Sequence, residues 1–334
     1  MMSSKKPPKP LNWGILGTAR INRSIIPAIK LSNRNQLVAL ASRKYIKAET
    51  HAKEWNIANV YGSYDALLSN PAIDVVYIPL PNSLHSEWVI KAAQAGKHIL
   101  CEKPIALSIE EVDMMVESAR KSNVVLAEAF MYRHHLQTLR VKELVDDGLI
   151  GEVLFIRGSF SFPLSREGDV RFKPELGGGA LWDIGCYPVN FTRYIMGREP
   201  HRVFGWQLLG ATGVDLSFAG HLEFSGNALA QFDCSFTMPF RTSMEIVGRR
   251  GRIELTSPFK PSLNEKITVF RDDEAITIPI YGHELYSGEI EDMADAILLG
   301  KTTLIPIEDS RANVAVIQAL YKSANICEPV EILV

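Results

Sequence analysis

Two stretches of this 334-residue chain hold residue types that could move a proton or hold a reacting oxygen. The first is "HILCEKPIAL" at 98–107. Ile99, Leu100 and Cys101 read as a short buried strand, which then ends on Glu102 and Lys103 side by side, and Pro104 stops the ladder. Such an ending is either a solvated surface turn or a charged group held at the rim of a sheet, where ligands of open α/β sheets bind. The second stretch is "GGGALWDIGCYPVN" at 177–190. Three glycines let the backbone pass close to something bulky. Asp183 and Tyr187 then lie four residues apart, on one face of a helix. A carboxylate and a phenol pointing together suit a substrate rich in hydroxyls, and a tyrosine can give a proton to a carbonyl or take one from an alcohol. An ordinary amphipathic helix behind a glycine run fits the spacing equally well.

A candidate phosphate cradle lies earlier. In "GILGTARIN" (14–22) the three positions of the dinucleotide fingerprint G-x-G-x-x-G hold Gly17, Ala19 and Asn22, so only the first glycine is kept. The loop opens the first strand–helix unit, where helix N-terminal amides would face a pyrophosphate; a plain tight turn is the alternative. The second apolar run ends "ALASRK". A carboxylate there would bind a ribose 2′-hydroxyl. Ser42 and Arg43 would instead hydrogen-bond a 2′-phosphate, which favours NADP(H) over NAD. The plain alternative is a polar loop with a solvated arginine. The third run ends "PLPNSLHSEW", a stiff loop with two backbone donors missing. Asn82 and His85 would sit at the sheet's carboxyl edge near the nucleotide, though His85 is equally a polar residue in a first helical turn.

Other candidates carry less. His134 and His135 are adjacent, so a strand would point them to opposite faces, and no H-E-x-x-H occurs; no metal site is expected. "GRRGR" at 248–252 fits a basic hairpin turn better than a nucleic-acid patch, and Met114 and Met115 look like helix core. The net charge of −2 gives no general attraction to nucleic acid or an anionic membrane. No apolar run approaches the ~20 residues of a membrane helix. Cys101, Cys186, Cys234 and Cys327 form no C-x-x-C pair, which fits reduced thiols in a cytoplasmic protein better than disulfides or zinc.

The elements that must position these groups follow from periodicity. Residues 1–10, "MMSSKKPPKP", read as a disordered lead. Over 11–130, apolar runs ("LNWGILG", "QLVALAS", "IDVVYIPLP", "HILCEKP", "NVVLAEAF") alternate with helical segments, including "SLHSEWVIKAAQAGK" opened by Ser83. That is a doubly wound α/β Rossmann domain with a parallel sheet. Over 131–334, "VLFIRGSFSF", "RVFGWQLL", "DLSFAGHLEF", "ALAQFDCSF", "TSMEIVG" and "GRIELTS" predict a large, mostly antiparallel open sheet in an α+β domain, with the C-terminal helix a candidate to pack back on the first domain. "ALAQFDCSF" carries apolar residues on both faces. The sheet face not covered by helices therefore needs cover, which a homodimer, or a tetramer built from such dimers, would supply.

Together "GILGTARI", "ASR", "YIPLPNSLHSEW", "AGKHILCEKP", "EAFMYRHHLQ" and "GGGALWDIGCYPV" resemble the glucose–fructose oxidoreductase / inositol dehydrogenase (Gfo/Idh/MocA) family over nearly the whole chain. The combination of E-K-P with a later D-x-G-x-Y carries the resemblance most. It implies Lys103 and Tyr187 as the catalytic pair, with Lys103 lowering the Tyr187 pKa, and Asp183 as an orienting or relay residue. It implies a cofactor site from Gly17, Thr18, Ala19, Arg20 and Ile21, from Ser42 and Arg43, and from Leu80, Asn82 and His85. Lys103 joins that site, with Glu102 beside the nicotinamide ribose and Arg171 near the nicotinamide or substrate. It further implies a cis bond before Pro104. The branch it resembles is NADP-dependent and acts on sugars, ketosugars and cyclic diols; tyrosine at 187, where inositol dehydrogenases carry histidine, makes inositol a poorer fit. The function expected is hydride transfer between nicotinamide and a secondary or anomeric CH–OH or C=O. The alternatives are a non-catalytic NADP-binding sensor, an NAD-preferring polyol dehydrogenase, and a metal-dependent polyol enzyme, which the lack of a ligand cluster disfavours.

Overall fold

The computed structural model describes residues 9–166 and 168–332, so the lead read as disordered lies almost wholly outside the described residues. The first domain is a six-stranded parallel sheet. Its strands are β1 (Leu11–Leu16), β2 (Asn35–Ala41), β3 (Asn59–Tyr61), β4 (Val75–Ile78), β5 (His98–Glu102) and β6 (Leu126–Ala129), in the order β3-β2-β1-β4-β5-β6. Helices α1 (Asn22–Leu31), α2 (Tyr45–Trp55), α3 (Tyr64–Leu68), α4 (His85–Gln94) and α5 (Ile109–Lys121) connect them. Strands β4 and β6 are buried along their whole length, as the unbroken apolar runs require in a sheet covered on both faces. The order reverses between β1 and β4, which is where such sheets open a crevice at their carboxyl ends.

Three local expectations are corrected. Ser83 does not open α4: Asn82–Leu84 forms a short 3₁₀ turn, and α4 starts at His85 without a side-chain cap. Met115 is core, but Met114 is 54% exposed, because adjacent residues on a helix face directions about 100° apart. Strand β3 and helix α3, too short to show a period, were not foreseen.

The second domain starts with α6 (Leu136–Asp146) and builds a nine-stranded sheet. Its strands are β7 (Val153–Ser161), β8 (Arg202–Leu209), β9 (Asp215–Phe224), β10 (Ala228–Ser235), β11 (Arg241–Gly248), β12 (Gly251–Leu255), β13 (Asn264–Arg271), β14 (Glu274–Tyr281) and β15 (Val330–Glu331). The order is β14-β13-β12-β11-β7-β10-β9-β8-β15, antiparallel except where β10 runs parallel to β7. The Gly248–Gly251 pair closes the β11–β12 hairpin around Arg249 and Arg250. Arg249 pairs with Glu152 at 2.7 Å and Arg250 donates to the Gly148 carbonyl, so this basic turn is internally satisfied.

Between β7 and β8 the chain forms a π-helical turn, Leu181–Gly185, that runs into α7 (Cys186–Met196). Helices α8 (Ser287–Leu299) and α9 (Ile307–Ile326) return to the first domain. Arg34 pairs with Glu291 and Asp295 of α8, and Arg311 of α9 pairs with Asp113 of α5 at 2.7 Å. The outer sheet face bears Trp206 and Leu208 of β8 and Leu229 of β10, all well exposed. Outward-facing β10 is less apolar than expected, since Gln231 and Asp233 follow Leu229.

Candidate active site

Lys103 stands one residue past the end of β5, at the carboxyl edge of the parallel sheet, and the Lys103–Pro104 bond is cis. Its ammonium donates to the Asp183 carbonyl at 2.6 Å and to Asp183 Oδ1 at 3.2 Å. Arg171 Nε holds the other carboxylate oxygen, Oδ2, at 2.5 Å. Two cations from two segments therefore grip one carboxylate. Burial alone would raise the Asp183 carboxyl, but Lys103 and Arg171 outweigh it and hold it well below the usual carboxylate range. Burial opposes the charge on Lys103 in turn, and Asp183 together with Cys186 and Glu102 more than restores it, so the ammonium lies above its ordinary pKa. Both groups are ionised at neutral pH.

Tyr187 lies on the same side, on α7. Its ring is packed among Phe130 (5.4 Å), Phe160 (5.5 Å) and Phe259 (5.6 Å). The Lys103 ammonium sits over the ring face, 4.8 Å from its centroid. The phenol itself reaches Met131 Sδ at 3.7 Å. The expected lowering of the Tyr187 pKa by Lys103 is not what this arrangement gives. Burial pushes the phenol well above its usual value, nearby Cys186, Tyr286 and Glu102 add to the rise, and the Lys103 ammonium bonds Asp183 rather than the phenol oxygen. Tyr187 is thus a protonated hydroxyl held only by a weak thioether acceptor.

The first-domain loop has the features of a phosphate cradle. Gly17 has φ +116°, and a Cβ there would stand 3.2 Å from Leu80. Asn22, at the third fingerprint position, donates to the Gly17 carbonyl at 2.9 Å and pins the loop in place of a glycine. Among the described residues, the amides of Thr18, Ala19, Arg20 and Ile21 donate to no protein acceptor. Four free amides ahead of a helix suit a pyrophosphate. At the end of β2, Ser42 Oγ accepts the Lys44 amide at 3.3 Å, which leaves the hydroxyl proton free, and exposed Arg43 flanks the Tyr64 hydroxyl. No carboxylate stands there, so the residues present fit a phosphorylated ribose.

Other expected site residues take supporting places. Asn82 donates to the Gly177 carbonyl at 2.8 Å and ties the loop after β4 to the glycine run. His85, expected at the sheet's carboxyl edge or in a first helical turn, is the first residue of α4 and is 0% exposed. Its ring nitrogens meet the Leu80 carbonyl at 2.8 Å and the Pro104 carbonyl at 2.9 Å, so it braces the Lys103 turn from behind. Glu102 accepts from the Tyr77 hydroxyl at 2.5 Å, and burial raises its pKa. Glu128 was not singled out from the sequence, although a carboxyl within "VVLAEAF" was a visible signal. It is buried on β6 and accepts the Ile105 amide at 2.9 Å, two residues past Lys103. Among the described residues no group of three or more His, Cys, Asp or Glu is placed to hold a metal, and no helix is long and apolar enough to cross a membrane.

Known proteins share this plan. The family model described as "Oxidoreductase family, NAD-binding Rossmann fold" matches residues 11–130, and the "GFO/IDH/MocA C-terminal domain" model matches residues 138–254. D-xylose 1-dehydrogenase (NADP(+)) 2 of Haloferax volcanii is 38% identical over 325 residues, 96% of this chain and 99% of that one. Trans-1,2-dihydrobenzene-1,2-diol dehydrogenase of Xenopus laevis is 36% identical over 77% of this chain and 80% of its own. Among solved structures, KijD10, a 3-ketoreductase from Actinomadura kijaniata in complex with NADP and TDP-benzene, superposes with a TM-score of 0.90 at 29% identity, covering 94% of this chain and 98% of that one. The same ketoreductase has been solved with a tyrosine replaced by phenylalanine and with a lysine replaced by alanine or glutamate.

Proposed function

Because the chain belongs to the GFO/IDH/MocA family of oxidoreductases, we propose that it interconverts a secondary or anomeric CH–OH and the matching C=O of a sugar, ketosugar or cyclic diol, with NADP(H) as the hydride partner. The observation that carries this reading is the meeting of Lys103, Asp183, Arg171 and Tyr187, from both domains, at the carboxyl end of β5. When bound, the nicotinamide supplies or accepts the hydride. The amides of Thr18–Ile21 would hold the pyrophosphate, and Ser42 and Arg43 would hold the 2′-phosphate.

The chain's own residues handle the oxygen and its proton. Lys103 has an N–H left after its two bonds to Asp183, and it donates this to the substrate oxygen. Asp183 fixes where that ammonium points, and Arg171 fixes Asp183. Tyr187, protonated and only weakly bound to Met131, gives its proton to the oxygen as a carbonyl is reduced and takes it back in the reverse direction. Exchanging a thioether for a carbonyl oxygen costs the phenol little. The substrates of the two named relatives, a pentose and a dihydrodiol, and the keto group that a 3-ketoreductase reduces all present a C–OH or C=O to such a set. We further propose a dimer that covers the outer face of the second sheet around Trp206, Leu208 and Leu229.

The test is a screen of sugars, ketosugars and cyclic diols, in both directions and with both cofactors, followed by nicotinamide absorbance. Turnover dependent on NADP(H) for at least one compound is expected. A protein that binds NADPH tightly and turns over none of them is the non-catalytic sensor instead.

A further inference from the structure

We propose that Asp215, the first residue of β9, is a positioning residue that sets the place of Asp183, and through it Lys103, from behind the site; this rests on the catalytic reading above. The π-helical turn that carries Asp183 starts directly after Gly177–Gly179, and a helix start leaves amides without partners. No side chain of its own segment caps it. Asp215 does so from another strand: its Oδ2 accepts the Leu181 amide at 2.7 Å. Its Oδ1 accepts the Tyr321 hydroxyl of α9, also at 2.7 Å. The carboxylate is 2% exposed.

The glycine run and this carboxylate are one feature. Gly179 has φ +125°, and a Cβ on it would stand 2.1 Å from Asp215 Oδ1. The carboxylate therefore fills the space that any other residue at 179 would need. Gly179 then accepts the Asp183 amide on its carbonyl at 3.1 Å. The linkage runs without a gap: Tyr321 to Asp215, Asp215 to the Leu181 amide, Gly179 to the Asp183 amide, and the Asp183 carbonyl and carboxylate to Lys103. A negative charge is also the favourable one at a helix start. Burial pushes Asp215 up to about 6, against the Tyr321 hydroxyl and the Leu181 and Ala180 amides. The other titratable groups that face it are Tyr321 on α9 and Cys234 on β10.

The experiment compares Asp215→Ala, Asp215→Asn and Tyr321→Phe in the full-length protein by amide hydrogen exchange, NADPH binding and turnover. Asp215→Ala should speed exchange over residues 180–186 about tenfold or more while β1 and β5 stay protected. Its NADPH dissociation constant should stay within about threefold of the parent while turnover falls about tenfold or more. Asp215→Asn keeps an acceptor for Leu181 but carries no charge, as protonated Asp215 does, so its turnover should run flat through pH 6 at the level the parent reaches below the acid limb expected there. Tyr321→Phe removes the donor that lowers the Asp215 pKa and should move that limb to higher pH. The exchange readout needs no substrate, so a protein with no sugar activity defeats the proposed function and still lets Asp215 be judged. Unchanged exchange over 180–186 in Asp215→Ala, or unchanged turnover where the parent is active, overturns the positioning role. If Asp215→Ala does not fold, an acid limb unmoved in both Asp215→Asn and Tyr321→Phe overturns it instead.

Discussion

Replacing Lys103 by Met keeps most of the unbranched stem and removes the ammonium. In the parent that ammonium makes two bonds to Asp183, at 2.6 Å and 3.2 Å, beside the ring of Tyr187. Charge-assisted bonds of this kind contribute about 1.5–3 kcal/mol each. Against them stands the cost of burying the ammonium, several kcal/mol, which the variant no longer bears. Asp183 also keeps Arg171 at 2.5 Å, so its carboxylate is not left unpaired. The net change in stability is therefore about 1–2 kcal/mol in either direction. NADPH binding, which we assign mostly to the loops after β1 and β2, should change by less than about threefold. Turnover is different, because the substrate oxygen loses its charged donor as charge develops on it. A loss of about 10²–10⁴, or roughly 3–5 kcal/mol of barrier, is expected. Tyr187→Phe should lose a similar factor, and the double variant should be scarcely slower than either single one if the two act on one oxygen. The assay is steady-state nicotinamide absorbance on the substrate found by screening, with a melting curve and an NADPH titration on the same preparations. A Lys103→Met enzyme within about fivefold of parent turnover would show that "CEKP" is only a turn.

The parent should bind NADPH about ten- to a hundredfold tighter than NADH, and Arg43→Ala should erase most of the gap; equal dissociation constants in the parent would defeat the assignment of Ser42 and Arg43. Burial pushes Glu128 up to about 7 from an unfolded value near 4.5. The folded chain thus holds this proton more tightly, and its contribution, roughly 3 kcal/mol, is complete below about pH 4.5 and lost as pH rises through about 7. Glu128→Gln keeps an acceptor for the Ile105 amide and should flatten the fall of urea-unfolding stability over that window; an unchanged slope would refute it. Light scattering at micromolar concentration should give a dimer or a multiple of it, and Trp206→Glu should weaken it; a monomeric parent would rule out the proposed cover of the outer sheet face.

Much of the first domain was legible because its strands are apolar on both faces. "VVYI" and "LAEA" bury every residue, and no half-exposed element produces that run. The second domain was legible only where a strand has one wet face. β14 was missed because it lies at the sheet's open end, exposed along nearly its whole length, and its neighbour β13 was missed although Ile267 and Val269 bury on one face. The loop proposed to hold the cofactor was legible as a tight turn before a helix, though at the third fingerprint position stands Asn22, whose amide does by hydrogen bonding what a glycine does by close packing.

The groups proposed as catalytic could be singled out one at a time, but their mutual arrangement could not. Lys103 and Asp183 are 80 residues apart, and no local period records that the ammonium faces the carboxylate and leaves the phenol to Met131. The supports were harder still. Asp215 and Leu181 lie 34 residues apart, and from sequence an aspartate at the start of a strand reads as a turn residue. Yet each support occupies a position where a polar group breaks a local rule. Glu128 is a carboxyl inside an apolar strand, His85 a histidine buried between two carbonyls, and Asp215 a carboxylate standing where a Cβ would be. Burying a polar group costs free energy unless it is bonded, so a chain that places two of them behind the Lys103 turn and one behind the Asp183 turn gains something there other than stability. What they have in common is the backbone on either side of Lys103 and Asp183. The apolar core sets where the two domains lie, and these three bonded polar groups set where, within that frame, an ammonium and a carboxylate point.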